Sequence, residues 1–118
     1  MPGPITLIVE FDMRPGRQED FRAAVDALRG AVAEQEPGTL TYDWWLSEDG
    51  SQGLAVELFR DSGALVTHMG DHAPLVADLL DAASVVSLKV LGEPTGEGRA
   101  AIEAAATAFY SPLGGIER

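Results

Sequence analysis

The order in which two periodicities alternate is the strongest constraint on this chain. Residues 4–13, PITLIVEFDM, place Ile5, Leu7, Val9, Phe11 and Met13 on one face. Thr6, Glu10 and Asp12, joined by Ile8, fall on the other, which is the period-2 signature of a strand. Pro15-Gly16 ends it. Residues 17–35 switch to steps of three and four, so that Phe21, Val25, Leu28 and Val32 form one helical stripe. Glu19 and Asp20 stand in the first turn, where the helix dipole favours acids, and Pro37-Gly38 stops the helix. Alternation returns in residues 39–48, TLTYDWWLSE, with Leu40, Tyr42, Trp44 and Leu46 on one face. Asp49-Gly50 is a hairpin signal, and residues 53–60 come back as the partner strand. Leu54, Val56 and Leu58 lie on one of its faces; Ala55, Glu57 and Phe59 lie on the other. Asp61-Ser62 offers an N-cap for a short helix carrying Leu65 and Met69. Gly70-Asp71 interrupts it, and Pro74 suits the first turn of a continuing helix with Leu75, Val76 and Leu79. Residues 84–92 read as the last strand, with Val86, Leu88 and Val90 on a common face. After a linker at 93–96, an Ala-rich helix is expected over 97–109, then the tail YSPLGGIER.

The order β-α-β-β-α-β with a trailing helix predicts an α+β, ferredoxin-like fold with a four-stranded antiparallel sheet and both helices on one face. One domain, 1–118, accommodates it, with a core at 4–93 and a C-terminal helix and tail at 97–118. With no cysteine, disulfide scaffolds, thiol nucleophiles and thiolate metal sites are excluded. Eight basic against 19 acidic side chains, a net charge of −11, disfavour nucleic acid and anionic lipid, which need basic patches. No apolar run approaches the roughly 20 residues of a membrane span. The start, Met-Pro-Gly-Pro, lacks the pattern of a signal peptide, so a cytoplasmic protein is expected. Hydrolase, phosphate-loop and dinucleotide fingerprints are missing from the sequence.

With both helices on one side, the second face of the sheet is bare, and its residues are too apolar for water. It carries Ile8 and one of Trp44 and Trp45, which point to opposite sides of their strand. Two sheets packed face to face in a homodimer would cover it. Glu10, Asp43, Glu57 and Lys89 are expected to form a polar layer there. Tyr110, Pro112, Leu113 and Ile116 of the tail are expected to clamp over the partner or over a pocket mouth.

The run EPGTLTYDWWLSEDG, followed by LAVELFRDSGALVTHM, resembles the antibiotic biosynthesis monooxygenase domain family over most of residues 4–93. Glu36-Pro37-Gly38-Thr39-Leu40, Tyr42, Trp44, Glu57, Arg60 and His68 carry the resemblance. It implies a dimeric α/β barrel, and a quinol-monooxygenase-like activity that oxygenates an aromatic small molecule with dioxygen and no cofactor. In such chemistry a deprotonated, electron-rich ring reacts with dioxygen, while the protein binds the ring, excludes water and stabilises an oxyanion. On this reading His68 takes the proton and Arg60 faces the anionic oxygen. Tyr42, Trp44 and Trp45, with His72, are expected to contact the substrate. His68 and His72 are spaced i, i+4, but Gly70-Asp71 breaks the helix between them and no third ligand stands at a telling distance, so no metal is expected. The alternatives are a non-catalytic small-molecule-binding barrel and a haem-degrading relative.

Overall fold

The computed structural model describes residues 3–118; Met1-Pro2 of the segment read for a leader lie outside them. Its elements are β1 (Ile5–Met13), α1 (Gln18–Gln35), β2 (Thr39–Leu46), β3 (Gln52–Phe59), α2 (Ser62–Gly70), α3 (Ala73–Ala82), β4 (Ala83–Leu91), α4 (Glu97–Glu103) and β5 (Ala108–Tyr110). The sheet order is β2-β3-β1-β4-β5. The first four strands are antiparallel neighbours, as the ferredoxin-like order requires. β5 joins parallel to β4, so the sheet has five strands and is mixed rather than four-stranded and antiparallel.

That fifth strand corrects the helix expected over 97–109. α4 stops at Glu103, and Thr107 then clamps onto β4: its N–H donates to the Leu88 carbonyl at 2.7 Å, and its hydroxyl accepts from the Leu88 N–H at 2.9 Å. The edge of β4 offers unpaired backbone groups, and pairing them outweighs continuing an Ala-rich helix through a β-branched residue. Arg99 stacks 3.6 Å over the Phe109 ring and helps hold the short strand down.

The inward face of β1 (Ile5, Leu7, Val9, Phe11) meets the α1 stripe of Phe21, Val25 and Leu28, together with Leu65, Leu79 and Ala82, in one apolar core. Two bulges alter the expected faces. One between Thr39 and Thr41 turns Leu40 outward, and one opposite Glu10/Phe11 leaves both Val85 and Val86 exposed. On the uncovered face of the sheet lie Ile8, Leu54, Val56 and Leu58, half-buried, and Trp45, which is 60% exposed. Glu10 and Lys89 pair there at 3.3 Å, as the polar layer requires. Glu57 does not join them. It sits between Ala55 and Phe59 on the helix side, opposite Leu7 and Tyr42, because inward residues of β3 alternate with outward ones. The tail beyond Pro112 leaves Leu113 and Ile116 exposed in the single chain. No helix among the described residues is long and apolar enough to cross a membrane.

Candidate active site

Four ionisable side chains meet beneath α2. Glu36 caps the end of α1, its N–H donating to the Val32 carbonyl at 2.9 Å. The Pro37-Gly38 turn then lies hard against α2: a Cβ on Gly38 would stand 2.6 Å from that of Ala64. This close approach tucks the Glu36 carboxylate under the helix, where its side chain is 1% exposed. Glu57 reaches the same place from β3, with its side chain 7% exposed. His68 comes from the last turn of α2. His72 comes from the corner before α3, where it alone among the described non-glycine residues has a positive φ, 62°.

The contacts form a chain. His68 Nδ1 donates to Glu36 Oε1 at 2.8 Å, since a carboxylate can only accept. Thr39 Oγ1 donates to the same oxygen at 3.0 Å. His68 Nε2 lies 3.0 Å from Glu57 Oε1, and His72 Nε2 lies 3.0 Å from Glu36 Oε2. In these last two pairs the atoms are within ion-pair range but poorly aligned for a hydrogen bond, so Glu57 Oε1, Glu36 Oε2 and His72 Nε2 are buried without an aligned partner. Both nitrogens of His68 thus face carboxylates. Burial opposes charging the ring, but the close, negatively charged carboxylate of Glu57 and the hydrogen bond and charge of Glu36 outweigh it and hold the His68 pKa above the ordinary imidazole value.

Tyr42 flanks this array, its ring centroid 5.4 Å from that of His68. Burial, reinforced by the charges of Glu57 and Glu36, pushes its phenol far above the usual range, so it remains a neutral donor. Trp44 stands edge-on to Tyr42 at 5.4 Å and stacks on Phe11 at 5.7 Å; its indole N–H is buried with no acceptor. On the outer side of these rings runs an open groove of about 780 Å³ between α1 and β2, lined by Phe21, Val25, Tyr42 and Trp44. A smaller cleft of about 290 Å³ has Glu36, Gly38 and Ala64 on its wall.

Trp44 is therefore the inward tryptophan, and Trp45 faces the open side of the sheet. Tyr42, Trp44 and His68 stand together, in edge-on contact through Tyr42. His72 joins through Glu36 rather than along the groove. Arg60 does not join: it lies on the wall of the smaller cleft, its side chain 62% exposed and its Nε 3.5 Å from Asp61. Glu36, Asp71 and His72 place one donor atom each within 4.8 Å of one another, the one grouping of metal-ligand spacing among the described residues. Both oxygens of Glu36 already face imidazole nitrogens, and we assign no ion to it. Glu36 and Glu57 carry no sequence motif that marks them as acid-base groups. The signal for Glu57 was there: an acid at the inward position between Ala55 and Phe59.

Comparison with known proteins decides the family. The model of the antibiotic biosynthesis monooxygenase domain matches residues 4–73, more than half of the chain. The chain belongs to the antibiotic biosynthesis monooxygenase family. Rv0793 of Mycobacterium tuberculosis is 33% identical over 70 residues, which are 59% of this chain and 68% of that protein. Its solved structure superimposes with a TM-score of 0.67 over 79% of this chain and 97% of its own, at 27% identity. MupZ from Pseudomonas fluorescens shares the fold with a TM-score of 0.87 at 23% identity, covering 98% of this chain and 95% of that one. That likeness therefore extends through the C-terminal segment. SnoaB, a cofactor-independent oxygenase from Streptomyces nogalater, has a TM-score of 0.65 at 14% identity, covering 80% and 96%. The family match ends at residue 73, so it takes in Glu36, Tyr42, Glu57, His68 and His72 but not α4 or β5.

Proposed function

We propose that this member of the antibiotic biosynthesis monooxygenase family is a cofactor-independent monooxygenase that deprotonates a quinol-like or polyketide-type aromatic compound and exposes the resulting anion to dioxygen. The observation that carries the reading is the buried Glu57–His68–Glu36 array behind an aromatic groove. A flat ring lies along Trp44 with its ionisable hydroxyl directed past Tyr42. The array accepts that proton as a unit; His68 is its middle rather than its end. The neutral Tyr42 hydroxyl and the orphaned Trp44 N–H supply hydrogen bonds to the ring oxyanion, with Arg60 left at the cleft. The electron-rich anion passes one electron to dioxygen. The radical pair recombines to a peroxide anion, which takes a proton from water and collapses to the oxygenated ring and water. Two copies packed through their uncovered sheet faces shield Trp45 and Ile8, and make the dimeric barrel of this reading.

The test is oxygen uptake with a panel of hydroquinones and anthrones. Stoichiometric uptake that falls about 10²–10⁴-fold in His68→Asn, the usual scale for losing a positioned acid-base group, supports the reading. No uptake above the buffer rate with any compound overturns it. The two carboxylates, more than one deprotonation requires, favour a second reading: the same proton transfer applied to an enolisation or hydration. Turnover that persists under argon selects it. Haem degradation is separated by adding haem and following its absorption.

A further inference from the structure

The proposed chemistry uses Glu57 and His68 but leaves two buried groups without a task, Glu36 Oε2 and His72. We infer that Glu36 and His72 form the path by which the substrate's proton leaves the protein. The inference rests on the proton-transfer reading and extends it. The groups lie in sequence: Glu57 Oε1 is 3.0 Å from His68 Nε2, His68 Nδ1 is 2.8 Å from Glu36 Oε1, and Glu36 Oε2 is 3.0 Å from His72 Nε2. Donors and acceptors alternate along it. It starts beside Tyr42 on the groove and ends at the α2–α3 corner, next to Asp71.

The two closed ends differ from the middle. Only the central link is a formed hydrogen bond; the outer contacts have the distance without the alignment. A buried acceptor held 3.0 Å from a buried ring nitrogen is costly unless a proton visits the gap. The backbone supports the same reading: His72 holds the left-handed conformation, which a non-glycine residue adopts at a cost, and its ring is thereby turned in to Glu36. In the transfer, a proton taken up at the Glu57 end passes to Nε2 of a neutral His68 ring, the Nδ1 proton moves on to Glu36 Oε1, and rotation of the ring restores the tautomer. The Glu36 carboxyl hands one on to His72 Nε2, and His72 releases one to water, so the array keeps its charge through each turnover. Glu36 and His72 touch no substrate; they act through His68.

His72→Asn and Glu36→Gln test this, because asparagine tolerates the left-handed backbone and glutamine keeps the carboxylate's shape. With a quinol identified by oxygen uptake, His72→Asn, which lies outside the Glu57–His68–Glu36 array, is expected to form the anion normally in the first turnover. Steady-state kcat is expected to fall about 10-fold or more, with KM little changed, and 0.1–0.5 M imidazole (a range chosen on the order of concentrations used for buffer rescue) to restore it. A loss of kcat with no rescue by any small base, or no loss, overturns the path. Nitrogen-15 spectra of the histidine rings give a readout without substrate. The His68 ring signals are expected to shift in His72→Asn, and the same replacement made on top of Glu36→Gln to leave them unmoved. His68 signals that ignore the loss of His72 in the otherwise wild-type protein also overturn the path. Coupled rings in a protein that turns over no substrate sink the proposed function and leave the proton path standing. Turnover without coupling does the reverse.

Discussion

His68 is held by opposing forces, and its behaviour with pH follows from them. Glu57, Glu36 and the neutral Tyr42 are the titratable groups that face it. Its folded pKa is raised above an unfolded value of about 6.5. The stability it contributes is therefore fully present below about pH 6.5 and is lost as the pH rises through the folded value. Melting curves across that range are expected to show a falling midpoint in the wild type and a flatter one in His68→Asn. Glu36→Ala leaves the buried Nδ1–H of His68 without its acceptor and is expected to destabilise by about 1–3 kcal/mol in chemical denaturation; Glu36→Gln is expected to cost less. Residue identity alone revealed part of this. Tyr42, Trp44 and His68 were legible as chemistry-bearing types. Arg60 was equally legible by type, yet its position at the end of β3 leaves it facing solvent and Asp61. Glu36 was hidden because nothing in its spacing shows that a helix C-cap folds beneath a second helix. Only the contact between Gly38 and Ala64 brings it there.

That contact sets the geometry of the site at the level of elements. The turn after α1 presses on the first turn of α2, which Asp61 caps by accepting from the Ala64 N–H at 2.9 Å. Gly38→Ala forces two Cβ atoms apart, and neither belongs to a flexible chain end. It is expected to cost about 1–3 kcal/mol and to lower activity as well, because Glu36 moves with the turn; a thermal melt paired with an oxygen-uptake assay checks both. The strands and α1 followed from the sequence because their periods are strong: every residue of the Phe21, Val25, Leu28, Val32 stripe is buried. The C-terminal segment did not. An Ala-rich run reads as helix locally, and only the open edge of β4, a long-range feature, converts its end into β5. The two bulges are similar, since one extra residue in a strand leaves the alternation of the sequence intact on either side.

For the whole molecule, the uncovered sheet face makes a prediction about assembly. Light scattering at micromolar concentration is expected to return a dimer, and Ile8→Lys with Trp45→Glu a monomer that keeps its melting cooperativity. Each copy carries a charge of −11, so association works against repulsion and is expected to strengthen from 20 to 300 mM salt (roughly the range over which screening shortens from about 20 Å to under 8 Å). A wild-type protein that stays monomeric throughout removes the barrel from the account, though not the array inside each chain. The fold class was legible at this scale from the order of elements alone.

The claim on which the rest depends is that a buried imidazole spans two carboxylates as a proton carrier. Nitrogen-15 and proton correlation spectra of the His68 ring near pH 7 address it most directly. The expected result is a ring that loses its charge only above the ordinary imidazole range and, once neutral, keeps its proton on Nδ1 toward Glu36. A ring that titrates at or below about pH 6.5 contradicts it.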